Sequence, residues 1–139
     1  MAGYSGTPLA KKLGIQTGHR VLLVTPPPGF RRTLGALPEG AEVLGRAPTT
    51  RGKPVDVALV FCRKHKDLAE RFPKTAAILD PAGGLWVAWP KKASGVPTDL
   101  SFDVVQKLGL GAGLVDNKIC AVDEVWSGLR FVVRVENRR

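Results

Sequence analysis

Three short runs of almost wholly apolar residues constrain this chain more than any other feature: Val21-Leu22-Leu23-Val24, Val55-Asp56-Val57-Ala58-Leu59-Val60-Phe61-Cys62 and Leu85-Trp86-Val87-Ala88-Trp89. Each has strand length, and none alternates apolar with polar residues, so each strand is expected to be covered on both faces, as in a parallel sheet. Parallel neighbours need crossover connections, and the intervals between the runs are long enough to hold helices. With 139 residues, 44% of them hydrophobic, the chain can bury one core; a catalytic domain plus a separate substrate domain would need more polypeptide.

The intervals carry the matching punctuation. Thr7 reads as a helix N-cap, Pro8 as the first helical position and Gly14 as the stop. Pro26-Pro27-Pro28-Gly29 ends the first strand rigidly, and Phe30 to Leu37 follows as a short helix. Ala41 to Leu44 is a weaker strand. Residues 45–54, rich in Gly, Pro, Thr and cations without periodicity, read as an exposed mobile loop. Lys66 to Leu79 has helical spacing with Pro73 as a kink, Asp80 to Gly84 reads as a turn, and Ser101 to Leu108 as a helix capped by Ser101 or Thr98. Leu114 to Val125 and Leu129 to Val135, joined by Trp126-Ser127-Gly128, read as an antiparallel hairpin. The fold class is α/β, an open, mostly parallel sheet with flanking helices and a C-terminal antiparallel β-hairpin.

Several strings resemble the Rossmann-like fold of S-adenosylmethionine-dependent methyltransferases. Leu13 to Val24 is similar to the entry into that fold's first strand, Asp56 to Phe61 to its fourth, and Asp80 to Val87 to the turn into its fifth. That family usually has an acidic residue in the first strand and a glycine-rich turn after it, so that backbone can approach the cofactor. Here Leu23 holds the acidic position and Thr25-Pro26-Pro27-Pro28-Gly29 forms the turn, so the resemblance implies the sheet without its usual cofactor cradle. The short segment before Asp56 implies that one strand–helix unit of the first half is missing. A closer resemblance is to the domain of unknown function 3052 family of bacteria. It rests on Gly3 to Gly14, on Trp89-Pro90-Lys91-Lys92-Ala93-Ser94-Gly95 and on Val122-Asp123-Glu124-Val125-Trp126-Ser127-Gly128-Leu129, and it implies no activity.

Ligands of open α/β sheets bind beyond the carboxyl ends of the strands, which singles out Trp89, Lys91, Lys92, Ser94 and Gly95. Two ammonium groups, a hydroxyl and the following helix start can hold a phosphate or carboxylate there; the alternative is a solvated turn. Asp123, Glu124 and Trp126 form a second cluster at the expected hairpin tip. Adjacent strand residues point to opposite faces, so a salt bridge from one carboxylate to Lys91 or Lys92 is favoured over joint acid–base work. His65, among three cations, has no partner at nucleophile–base spacing and reads as a solvated edge residue. His19 attracts no role.

The net charge of +9 is uneven. Residues 1–75 hold 13 Lys+Arg and 5 Asp+Glu against 8 and 7 in residues 76–139, so +8 lies in the first part. Arg31, Arg32, Arg46, Arg51, Lys53, Arg63, Lys64 and Lys66 fall in loops or helix starts, where they can meet nucleic acid or another phosphorylated partner, with Tyr4, Phe30 or Trp89 as stacking surfaces. No nucleic-acid motif accompanies them, so solubility is the competing account.

Cys62 and Cys120 sit inside apolar runs and read as small buried hydrophobes. The histidines are too far apart in sequence to build a metal site with them, so no metal is expected, and without the usual cradle no cofactor is expected either. No apolar stretch is long enough for a signal core or membrane span, which gives the cytosol as the default location. The leading expectation is a non-catalytic binding module with a basic face. The alternatives are a small-ligand binder or enzyme with a pocket at the strand ends, built from Lys91, Lys92, Ser94, Asp123, Glu124 and Trp126, and a homodimer joined through the hairpin edge with Trp126 in the interface.

Overall fold

The computed structural model describes residues 7–138; Gly3, Tyr4, Ser5 and Gly6 of the N-terminal string lie outside the described residues. The elements run α1 (Leu9–Lys12), β1 (Arg20–Val24), α2 (Phe30–Leu34), β2 (Glu42–Val43), β3 (Val55–Phe61), α3 (His65–Ala76), β4 (Leu79–Pro90), α4 (Phe102–Gly111), β5 (Leu114–Ala121) and β6 (Trp126–Val133), with single 3-10 turns at Lys92–Ser94 and Val135–Asn137. One six-stranded sheet has the order β2-β1-β3-β4-β6-β5. The β2–β1, β1–β3 and β3–β4 pairs are parallel, and the β4–β6 and β6–β5 pairs antiparallel. The mostly parallel α/β sheet expected from the sequence is the one observed. Among the described residues only β2 lies outside β1, so the first half has one strand fewer than the three of a full Rossmann half.

The continuous apolar runs are explained by two cores, one on each face. Leu22, Ala58, Val60, Val87 and Phe131 point to the face covered by Leu68 and Phe72 of α3 and Val105 of α4. Val21, Val57, Leu59 and Trp86 point to the other, covered by Ala10 of α1 and Leu13 at its end and by Phe30 and Leu34 of α2. Trp86 is fully buried, and its indole N–H donates to Leu13 O at 3.0 Å, which ties the end of α1 to the sheet.

Several boundaries differ from the sequence expectation. The N-cap of α1 is Pro8 rather than Thr7. α2 stops at Leu34, short of Leu37, because Gly35 turns away at φ +76°. Asp80 to Gly84 is no free turn but a bulged part of β4. The pairing passes from Val55–Leu79 to Val57–Gly84, and the Asp80 carboxylate accepts from the Ala82 N–H at 2.8 Å to shape the extra residues. Pro73 does not interrupt α3; the carbonyl it leaves without a donor belongs to Ala69, on the solvent side.

The hairpin turn lies upstream of Trp126-Ser127-Gly128, which instead open β6 opposite Pro90, Trp89 and Ala88. Two contacts fix this. Asp123 Oδ1 accepts from the N–H groups of Val125 and Trp126, both at 2.8 Å, which places the turn at residues 122–125. Gly128 lies under Trp86 and Val122, where a Cβ would come within 3.1 Å and 3.0 Å of them, so this glycine serves close packing and not a turn. The Ser101 cap is present, its Oγ accepting from the Val104 N–H at 3.4 Å. Among the described residues no helix is long and apolar enough to cross a membrane.

Candidate functional site

From β1 the chain moves outward to β2 and then returns to β3 on the other side of β1. The carboxyl ends of β1 and β3 are therefore where the strand order reverses, and connections leaving in opposite directions open a crevice there. Thr25, the first residue after β1, has φ +49°, the one positive φ outside glycine among the described residues. For a β-branched residue this conformation costs about 1–3 kcal/mol and needs support. That support is a hydrogen bond from its hydroxyl to Phe61 O at 2.8 Å, across to the end of β3. Pro26, Pro27 and Pro28 then form a rigid wall.

The floor is aromatic. Phe61 packs edge-on against Phe30 at 4.8 Å and against Trp126 at 5.1 Å. Arg63, Asp67 and Arg71 supply the charged groups, and the crevice has a volume of about 500 Å³. Arg71, partly buried on α3, points one Nη at Phe61 O (3.3 Å) and at Cys62 Sγ (3.7 Å). Burial pushes the Cys62 thiol up from its ordinary pKa, and the hydrogen bond and charge of Arg71 offset part of that rise. Burial at the crevice thus disfavours the Cys62 thiolate, the form that acts as a nucleophile. Asp67, one helical turn before Arg71, forms no ion pair with it; the pairs among the described residues are Arg20–Glu42 at 3.9 Å and Lys74–Glu70 at 3.7 Å.

The loop predicted from sequence lies at the same sheet edge, beyond β4. Trp89 is 6% exposed and forms part of the core over α3 and α4. The Lys91 N–H donates to Val125 O at 2.7 Å. Ser94 Oγ donates to Lys91 O at 2.6 Å and accepts from the Val96 N–H at 3.2 Å, and Gly95 closes the turn at φ +77°. Lys92 is exposed and borders a second hollow of about 600 Å³, with Trp89 beneath and Phe102 at its rim. The segment after this loop is held to the start of α3, since Thr98 Oγ1 donates to Arg63 O at 2.6 Å and Asp99 Oδ1 accepts from the His65 N–H at 2.7 Å.

The Asp123 carboxylate builds the hairpin turn, and Glu124 is exposed; neither forms an ion pair with Lys91 or Lys92, so the expected salt bridge is absent. Trp126 leaves this cluster and joins the β1–β3 crevice, packed on Phe61 of its own chain.

The eight cations divide. Arg31 and Arg32 lie exposed on α2, and Arg63, Lys64 and Lys66 are exposed around the start of α3, all near the carboxyl edge. Arg46 follows β2. Arg51 and Lys53 lead back toward the opposite edge, where the Arg20 guanidinium donates to Lys53 O and Pro54 O, both at 3.2 Å. At that amino edge a hollow of about 230 Å³ adjoins His19, Asp56 and Arg130. His19 Nδ1 accepts from the Gln16 N–H there, and Asp56 from the Arg20 N–H.

Thr25, Asp67 and Arg71 escaped the sequence reading. The signal available was the proline turn itself, which marks the end of β1, together with an acid and a base four residues apart on the first turns of the helix after β3.

No family model matches the chain, and no curated protein does. Solved structures do. A SAM-dependent methyltransferase from Aquifex aeolicus aligns over 93% of this chain and 89% of its own length with a TM-score of 0.59 and 16% identity. A possible exported protein from Bordetella parapertussis aligns over 90% of this chain and 65% of its own at TM-score 0.62 and 13% identity. Magnesium protoporphyrin IX methyltransferase from Synechocystis aligns over 90% and 74% at TM-score 0.59 and 10% identity. At such identities the likeness is one of fold: a Rossmann-like, methyltransferase-like sheet.

Proposed function

We propose that this chain is a small-molecule-binding protein whose ligand sits in the β1–β3 crevice with an acidic group on Arg71 and Arg63. The observation that carries this reading is Arg71: a partly buried guanidinium with no carboxylate partner, held by Phe61 O so that its other N–H groups can meet a ligand. Aromatic and proline walls around a few charged groups are the usual make-up of such sites.

The structural neighbours include proteins described as S-adenosylmethionine-dependent, and the residues present here do not fit that cofactor. Three proline rings stand where backbone would need to approach, and they remove three N–H donors. Thr25 rather than glycine makes the turn.

Isothermal titration with AMP, small carboxylates and S-adenosylmethionine tests the reading. An acidic ligand is expected to bind and to be lost in Arg71→Gln, whereas S-adenosylmethionine is not. Retained affinity in Arg71→Gln would remove the basis of the proposal.

The five cations gathered at the carboxyl edge, Arg31, Arg32, Arg63, Lys64 and Lys66, support a second reading, in which a phosphorylated partner or nucleic acid lies across the mouth of the crevice. Anisotropy with RNA and duplex DNA across salt concentrations tests it, at about 0.9 in logarithmic slope for each duplex phosphate contacted. Kinship with the domain of unknown function 3052 family belongs to this proposal as well, on the strings from Trp89 to Gly95 and from Val122 to Leu129.

A further inference from the structure

We infer that the group recognised in the β1–β3 crevice is a zwitterion, an α-amino acid with an apolar side chain, with its carboxylate on Arg71 and its ammonium on Asp67. This inference rests on the reading above and narrows it. Asp67 and Arg71 are four residues apart on one helix, the spacing at which opposite charges ordinarily pair, yet they form no ion pair and both border the same crevice. The Asp67 carboxylate accepts no hydrogen bond among the described residues, and Arg71 has one Nη engaged, by Phe61 O and Cys62 Sγ. The start of α3 favours an acid through its dipole, which accounts for a carboxylate on this turn. It does not account for an arginine that faces the same space and leaves that carboxylate unpaired.

The two charges select against simpler ligands. A phosphate ester held by Arg71 brings its negative charge toward Asp67, and an amine held by Asp67 meets Arg71 and Arg63. A ligand with ammonium and carboxylate on one carbon satisfies both. Its side chain then reaches the apolar part of the wall, Pro26 to Pro28, Phe61 and Trp126. The volume of about 500 Å³ is that of a site for an organic molecule, much larger than an inorganic anion needs.

Trp126 supplies the readout. Its fluorescence, checked by calorimetry, is followed with L-phenylalanine, N-acetyl-L-phenylalanine, L-phenylalanine amide and AMP. L-phenylalanine is expected to bind, and loss of either charge should weaken binding about tenfold or more, the scale of a charged hydrogen bond. In Asp67→Asn the gap between L-phenylalanine and its N-acetyl form should close while the gap to the amide persists; Arg71→Gln should show the reverse. The wild-type comparison stands even where a variant folds poorly. Equal affinity for L-phenylalanine and N-acetyl-L-phenylalanine overturns the inference. Binding of AMP without any amino acid also overturns it and leaves the anion-binding proposal in place, whereas no binding by any probe defeats both.

Discussion

The hydroxyl of Thr25 donates to the carbonyl of Phe61 at 2.8 Å, joining the carboxyl ends of β1 and β3 at the point where the strand order reverses. The same residue holds φ +49°, so a favourable bond and an unfavourable backbone conformation coincide in one threonine. Thr25→Val keeps the strain and removes the bond, and is expected to destabilise the fold by about 1–2 kcal/mol. Thr25→Gly removes both and should stay within about 1 kcal/mol of the wild type. Guanidinium chloride unfolding of the two variants measures this; a Thr25→Val protein as stable as the wild type would remove the bond from the account.

Asp123 and Glu124 are neighbours with unlike roles. Asp123 Oδ1 accepts two backbone N–H groups and sets where β6 begins, whereas Glu124 is exposed. Asp123→Ala should cost about 1–2 kcal/mol, and Asp123→Asn, which keeps an acceptor oxygen, clearly less. Glu124→Ala should fall within about 0.5 kcal/mol of the wild type. Thermal unfolding of the three variants gives the ranking, and equal effects at the two positions would contradict it.

What the sequence made legible follows from how local each signal is. The parallel strands could be read from Val21 to Val24 and Val55 to Cys62 because burial on both faces leaves an uninterrupted apolar run. The hairpin turn was misplaced because Gly128 is a turn residue by composition and a packing residue by position, and the indole of Trp86 that requires it lies forty-two residues away in sequence. The site suffered in the same way. Arg71 and Asp67 look like an ordinary solvated helix pair until α3 is set against the end of β3, and Trp126 joins Phe61 only once β6 pairs with β4. Lys91, Ser94 and Gly95 were correctly placed at a strand's carboxyl end, but the hydroxyl and the turn are engaged within their own loop.

Gly109 lies in the interior of α4, where alanine would normally stabilise a helix by about 1 kcal/mol. A Cβ at that position would overlap the ring of Phe131, which is fully buried and packed edge-on against Phe72 at 5.3 Å. Overpacking of about 1–3 kcal/mol should outweigh the propensity gain. Gly109→Ala is therefore expected to unfold at a lower temperature than the wild type, while Gly111→Ala, two residues on in open space, should not. A raised melting temperature for Gly109→Ala would show that α4 can move away from β6 without loss.

Both cysteines bear on the alkaline limit of stability. Burial raises the thiol pKa of Cys62, with Arg71 opposing, and burial raises that of Cys120, with Lys12 and Lys118 opposing. A thiol whose pKa is higher folded than unfolded keeps its proton longer in the folded state. Its contribution is therefore complete below the unfolded value of about 8.5 and is lost as pH rises through the folded value. Stability should fall as pH rises above about 8, and the fall should be shallower in a Cys62→Ala, Cys120→Ala double variant, whatever constant offset the lost side chains introduce. Urea unfolding of both proteins across that range supplies the slopes. Parallel slopes would mean that the thiols titrate alike in the folded and unfolded chains, and burial at the crevice floor would then have no hold on Cys62.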